Sequence, residues 1–256
     1  MHVWQLGSLI FFGYVVAVAD LFPGLTRERR RRAIAVAAVG GAVAIVSLRL
    51  SGDHPLNVWV VPPALLLIAY YASGCLFVAP MARIETLLAE IDASLGIDRI
   101  SGCLPRALVE CLELAYSGVY PAVALALFLA LGQGVDAEHF WTVVLFTDYV
   151  CFGMMPWVQT RPPRTAGAPQ PWRSSWRSIN LRVLDAGSVH VNTFPSGHAA
   201  EALAAALLVS AGRWPIVACM FVAVAAISAG AVLGRYHYSA DAITGWAVAL
   251  TVWALV

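Results

Sequence analysis

Lysine is missing from this 256-residue chain, and all 16 of its Lys-or-Arg positions are arginine. A GC-rich coding bias explains such a composition. It also means that any anion site must be built from guanidinium groups, imidazoles and backbone N–H donors. Charge of either sign is scarce, at 12% of residues against 60% hydrophobic, and the mean hydropathy is +0.76. A soluble domain carries roughly a quarter charged residues, so a soluble fold is excluded. No polar stretch is long enough to build a separate soluble core, and one membrane domain is expected. The net charge of +1 gives no footing for a nucleic-acid partner. Five cysteines, Cys75, Cys103, Cys111, Cys151 and Cys219, form no CxxC pair and no Cys–His metal spacing. They read as buried packing residues. Internal repeats and low-complexity tracts are lacking too.

What remains is apolar and helical. A bilayer core of ~30 Å takes about 20 apolar residues in a helix, because backbone groups left unpaired in lipid are too costly. Eight such runs are expected, near 6–22, 33–49, 58–79, 106–131, 140–159, 198–212, 214–234 and 239–256, with a kink at Pro121. The fold class is therefore all-α, a polytopic transmembrane helix bundle. The N-terminal run lacks a basic leader and a cleavage site and reads as a retained span. Residues 81–102 place Ile84, Leu87, Leu88, Ile91 and Leu95 on one face, which predicts an interfacial amphipathic helix. Its acidic polar face gains nothing from anionic lipid, so it reads as a connector resting on the bilayer; the alternative is a lid or partner surface. The longest polar stretch, 160–197, is the expected site-forming loop.

Three short motifs carry chemistry. In "NTFPSGHAAE" (192–201), Ser196 is an N-cap, Pro195 sets the approach, and the N–H groups of Gly197 and its neighbours are free to bind an anion, with His198 in the first turn. In "GRYHYSADAITG" (234–245), Asp241 can reach back to one nitrogen of His237, as a carboxylate does when it orients a nucleophilic or basic imidazole. In "TRPPR", Arg161 and Arg164 offer planar forks that match phosphate oxygens. Counting spans puts all three at one membrane face. They suit phosphoryl transfer: Arg161, Arg164, Arg235, Ser196 and Gly197 bind the phosphoryl group, His237 attacks phosphorus with Asp241 behind it, and His198 protonates the leaving oxygen. No metal and no cofactor is expected, since an arginine cluster repels a divalent cation. Glu201, one turn from His198, can tune that imidazole, and Asp148 can line the substrate cavity. Glu110 and Glu113 are similarly ambiguous, while His2, His54, His139 and His190 read as loop residues.

"PSGH" and "HYSAD" together resemble the type 2 phosphatidic acid phosphatase superfamily, whose pattern is Lys-x6-Arg-Pro, Pro-Ser-Gly-His and Ser-Arg-x5-His-x3-Asp. The resemblance covers roughly residues 58–256. It implies a six-helix catalytic core there, preceded by a transmembrane hairpin at 1–57. It also implies roles for Ser196, Gly197, His198, His237 and Asp241 in a metal-independent reaction through a phosphohistidine. Two family charges are absent: Met154 stands where the lysine belongs and Ala231 where the second arginine belongs. Arg164 and Arg235 are the expected replacements. The "FPSGH" and "HYxxD" wording and the extra spans are also similar to the inositol phosphorylceramide and sphingomyelin synthase branch, which transfers a head group to an alcohol or sugar acceptor. The expected partners are thus a lipid phosphate substrate such as phosphatidate or polyprenyl diphosphate, the bilayer of a bacterial-type cell, and in the transferase reading an acceptor. A transporter with a His/Asp proton relay and a non-catalytic member are the rival readings. "RERRRR" at 27–32 places the 160–197 loop in the cytoplasm by the positive-inside rule, whereas most members of the family work on the outer or luminal face; orientation stays open.

Overall fold

A computed structural model describes residues 2–256, which form thirteen helices, with a lone Thr160–Asn192 bridge in place of any strand. The first two, α1 (Val3–Leu21) and α2 (Arg27–Ser47), pack against each other as a hairpin. Thr26 caps α2 by accepting from the Arg29 N–H, so the basic run is the first turn of the helix that carries the second expected span. The third expected span is broken. Helix α3 (Pro55–Trp59) ends at Val60, and α4 (Val61–Gly74) starts afresh with prolines in its first turn, where a missing N–H costs nothing.

The connector at 81–102 is α5 (Ala82–Ser94) and α6 (Ile97–Gly102), turned apart at Gly96, whose φ of 66° is the left-handed conformation glycine tolerates. The expected span at 106–131 is α7 (Arg106–Ser117) and α8 (Val119–Gly132), bent by 63°. The kink falls at Gly118 and not at Pro121, because Pro121 lies in the first turn of α8, where proline displaces no helical hydrogen bond. Helix α9 (Ala137–Gly153) is capped by Asp136. Inside the long polar loop lies an unanticipated helix, α10 (Ser175–Gly187). Ser174 caps it, and the Glu110 carboxylate accepts from the N–H groups of Ser175 and Trp176 at its positive end. The chain then runs through α11 (Gly197–Leu208), α12 (Trp214–Leu233) and α13 (Ser239–Leu255).

Helix α11 is the axis of the molecule. Its alanines at 199, 200, 202 and 204–206 are buried, and α8, α9, α12 and α13 close around them, since small side chains let helix backbones approach. Large apolar residues such as Ile10, Phe128 and Val222 instead face outward, at 64%, 66% and 68% exposed. Small inside and greasy outside suits hydrocarbon as the solvent and fails in water. The chain is an α-helical membrane bundle. Helices α1 and α12 are long and apolar enough to cross a bilayer, α7 with α8 make a third span if counted as one, and α4, α11 and α13 are shorter apolar helices. The cysteines differ from expectation: only Cys151 is buried, while Cys103, Cys111 and Cys219 are exposed.

Helix α5 does more than rest on a surface. It docks on α13, and its acidic residues Glu85 and Asp92 are both buried against arginines of the motif loops.

Candidate active site

The Pro-Ser-Gly-His turn is locked against the start of α13. Ser196 Oγ accepts from the Ala199 N–H at 3.4 Å, and the Ser196 N–H donates to the Asp241 carbonyl at 2.9 Å. Gly245 permits this approach, since a β-carbon there would lie 2.6 Å from the Ser196 carbonyl oxygen. His198 is thereby presented from the first turn of α11, stacked on Tyr116 at 4.9 Å and edged by Tyr120 at 5.8 Å.

His237 arrives from the turn between α12 and α13. Its N–H bonds the carbonyl of Ala231, the residue that stands where the family pattern has arginine. The His198 and His237 ring centroids lie 5.8 Å apart at 50°. Behind His237, Asp241 brings Oδ2 to 3.4 Å from Nδ1, an ion-pair distance at which the ring nitrogen lacks an aligned hydrogen bond. The same Oδ2 is held by the Tyr238 N–H at 2.8 Å and by Asn192 Nδ2 at 2.9 Å. Asn192 also donates to Thr160 Oγ1 and pairs with the Thr160 backbone, tying the two ends of the polar loop together beneath the aspartate.

The three predicted arginines part company. Arg164 lines the cavity together with both histidines, with its guanidinium carbon 5.3 Å from the Tyr236 ring centroid and its backbone N–H on the Arg235 carbonyl. Arg161, expected on phosphate, is a fork on Glu85 of α5, with Nη2–Oε2 at 2.7 Å and Nε–Oε1 at 3.0 Å. Arg235, also expected there, is buried, donates to Asp92 at 2.7 Å and to Asp98, and lies outside the cavity lining. Its backbone leaves α12 at φ 62°, a left-handed turn, and its side chain goes to α5 and α6 while His237, two residues on, lines the cavity. Asp92 in turn accepts from the N–H and hydroxyl of Ser239 at the start of α13.

A second buried network was not foreseen. The Glu113 carboxylate accepts from Tyr236 Oη (2.6 Å), Trp172 Nε1 (2.7 Å), Asn180 Nδ2 (2.8 Å) and Arg177 Nη1 (3.0 Å). It pins α10 to α7 and fixes Tyr236, whose ring stacks on Tyr116 at 4.0 Å. The sequence signal was a glutamate inside an apolar run, without anything to name its partners. Of the histidines read as idle, His2 pairs with Glu138 and His54 caps α3.

Histidines, Arg164, Tyr116 and Tyr236 stand at one end of a cavity of about 470 Å³ that continues past Asp148 and Glu201 to Leu66, Leu127, Trp141 and Trp59. Among the described residues no group of three or more His, Cys, Asp or Glu could hold a metal ion.

A paired imidazole site with a guanidinium at the head of an apolar cavity, carried on a helical membrane bundle, marks a membrane protein of the phosphoryl-transfer type. Residues 86–255 match the family model of the PAP2 superfamily, and the chain belongs to that superfamily of type 2 phosphatidic acid phosphatases. Membership supports a phosphatase- or phosphotransferase-type activity. No curated protein and no solved structure matches the chain.

Proposed function

We propose that the protein is a membrane-embedded lipid phosphatase acting through a phosphohistidine, with His237 as nucleophile, Asp241 as its orienting carboxylate and His198 as general acid. The observation that carries this reading is the 5.8 Å spacing of the two imidazoles beside Arg164, in a cavity whose lining is otherwise largely apolar, with Asp148 and Glu201 also in its wall. One phosphoryl group fits between the rings, and a lipid tail fits along the apolar length.

Asp241 faces Nδ1 of His237, which leaves Nε2 to attack phosphorus. As the N–P bond forms, the P–O bond to the lipid breaks and His198 gives its proton to the departing oxygen. His198, now neutral, takes a proton from water as that water attacks the phosphohistidine, and the P–N bond breaks to release phosphate. Arg164 and the positive end of α11 offset the charge on the equatorial oxygens, while the N–H groups of Ser196, Gly197 and Ala199, expected on phosphate, are taken by the Asp241 carbonyl, Thr193 Oγ1 and Ser196 Oγ. Arg161 and Arg235 serve the frame: by holding α5, they fix the loops that present Arg164 and His237.

The phosphohistidine can also be discharged by an alcohol, which makes the enzyme a head-group transferase, so the assay must see both products. Purified protein is incubated with lipid phosphates, with and without alcohol acceptors and chelator, and free phosphate and new phosphodiester are measured. The expected result is chelator-resistant loss of lipid phosphate, abolished by His237→Gln and strongly slowed by His198→Gln, with an acid-labile phosphoenzyme recovered from the wild type quenched during turnover. Lipid phosphate left intact by the wild type, as the transporter reading expects, or full turnover in His198→Gln overturns the proposal.

A further inference from the structure

Two carboxylates in the cavity wall have no work in the reaction above. Asp148 is 1% exposed, and neither of its oxygens has a hydrogen-bond partner. Glu201, 8% exposed, lines the same cavity. A buried polar group without a partner is costly, more so if charged, which makes this placement unfavourable unless a ligand supplies the missing donors. Asp148 is wedged close: its Oδ1 lies 3.2 Å from where a β-carbon on Gly197 would sit, so glycine at that position is what admits the carboxylate next to the His198 turn.

Their depth identifies what they meet. Helix α9 ends at Gly153 and α11 begins at Gly197, both at the polar loop. At a rise of about 1.5 Å per residue, Asp148 and Glu201 sit roughly 6–8 Å further along their helices than those ends. Beyond them the lining is Val123, Leu127, Leu66 and Trp141. The pair thus lies between the imidazoles and the tail channel, level with the first few atoms of lipid behind the scissile oxygen. A water attacking the phosphohistidine enters in line with the P–N bond, at the position the lipid oxygen has vacated, and reaches no deeper than that oxygen, so of the reactants in hydrolysis it is the lipid backbone that extends to the carboxylates.

We infer that Asp148 and Glu201 form a specificity subsite for hydrogen-bond donors on the lipid backbone, selecting lipid phosphates that carry a hydroxyl, amide N–H or amino group close to the phosphoester. Carboxylate oxygens are rich in acceptor positions, and a donor-bearing backbone satisfies them. A diacylglycerol backbone offers only ester acceptors and a polyprenyl chain offers nothing, so each leaves the pair unpaired in an apolar surround. Sites built to hold a donor reject analogues lacking it far more strongly than apolar pockets sort methylenes.

The inference rests on the phosphatase reading, and one substrate panel separates the two. Four lipid phosphates of matched chain length are compared in detergent: a monoacylglycerol phosphate with a free hydroxyl, a long-chain amino-alcohol phosphate, a diacylglycerol phosphate and a polyprenyl phosphate. The wild type is expected to favour the two donor-bearing lipids in kcat/KM by at least about tenfold, chiefly through KM. The hydroxyl and amino arms show which donor is preferred. In Asp148→Asn and Glu201→Gln, which keep volume but exchange acceptor oxygens for an amide, the ratio of donor-bearing to donor-free kcat/KM is expected to fall towards one. Loss of lipid phosphate at equal efficiency from all four substrates overturns the subsite while leaving the phosphatase intact, and so does an unchanged ratio in both variants. Inertness towards all four overturns both.

Discussion

Arg235 and Asp92 form a buried ion pair at 2.7 Å, with the second Asp92 oxygen taken by the backbone and hydroxyl of Ser239. The pair joins α5 to the α12–α13 turn that carries His237. Removing one member leaves the other charged and stranded, which typically costs about 3–5 kcal/mol. Arg235→Ala is expected to lower the denaturant midpoint in detergent sharply and to lose activity in parallel. A stable variant with a selective loss of turnover would instead put Arg235 on the substrate.

Arg164→Ala is expected to behave in the opposite way. Its guanidinium is only half-buried, and its one charged contact is with an aromatic face. Unfolding should stay near wild type while kcat falls about 10²- to 10³-fold, as for loss of a transition-state donor. Measuring both quantities on one preparation decides the matter.

Behind His237, Asp241→Asn should reduce kcat by up to about 10⁴-fold, the scale seen when a carboxylate that orients an imidazole is lost. Asn192→Ala removes only one of the donors holding that carboxylate, so a loss of about tenfold is expected. Equal losses in the two variants would show that Asn192 acts elsewhere.

Glu113 ties α7, α10 and Tyr236 together. Glu113→Ala strands Arg177, whose side chain is 4% exposed, and should destabilise by about 3–5 kcal/mol. Limited proteolysis between residues 164 and 187 should quicken before global unfolding, because the segment loses its anchor. A cleavage pattern like that of the wild type would refute the anchoring role.

On α5, the hydrogen bonds from Arg161 hold the Glu85 carboxyl below its ordinary value of 4.5. A depressed carboxylate stabilises the fold fully above that ordinary value, and the contribution is lost as pH falls through the lower, folded-state value. Unfolding midpoints taken from pH 7 to pH 3 should therefore drop more steeply below about 4.5 in the wild type than in Glu85→Gln. Parallel curves would remove Glu85 from the acid response.

The two histidine motifs were legible because their geometry is local. A serine cap with a histidine in the first turn, and an aspartate four residues after a histidine, are set by helix geometry and need no distant partner. The membrane class was legible for a similar reason, since composition alone decides whether a chain prefers hydrocarbon to water. Helix α10 was hidden because part of its N-terminal capping comes from Glu110, 65 residues away from Ser175. The bend at Gly118 was hidden because proline in a first helical turn and proline in a helix interior look alike until the start of the helix is known.

Residue order by itself determined an all-helical membrane bundle and the placing of two imidazoles and a carboxylate at its polar end. Only the tertiary structure decided which arginine is free. Arg161, Arg164 and Arg235 are equal in charge and reach, and what separates them is whether an aspartate or glutamate of α5 or α6 arrives within hydrogen-bond distance. That depends on how α5 docks against α13, a contact between segments some 150 residues apart, for which no local pattern carries a signal.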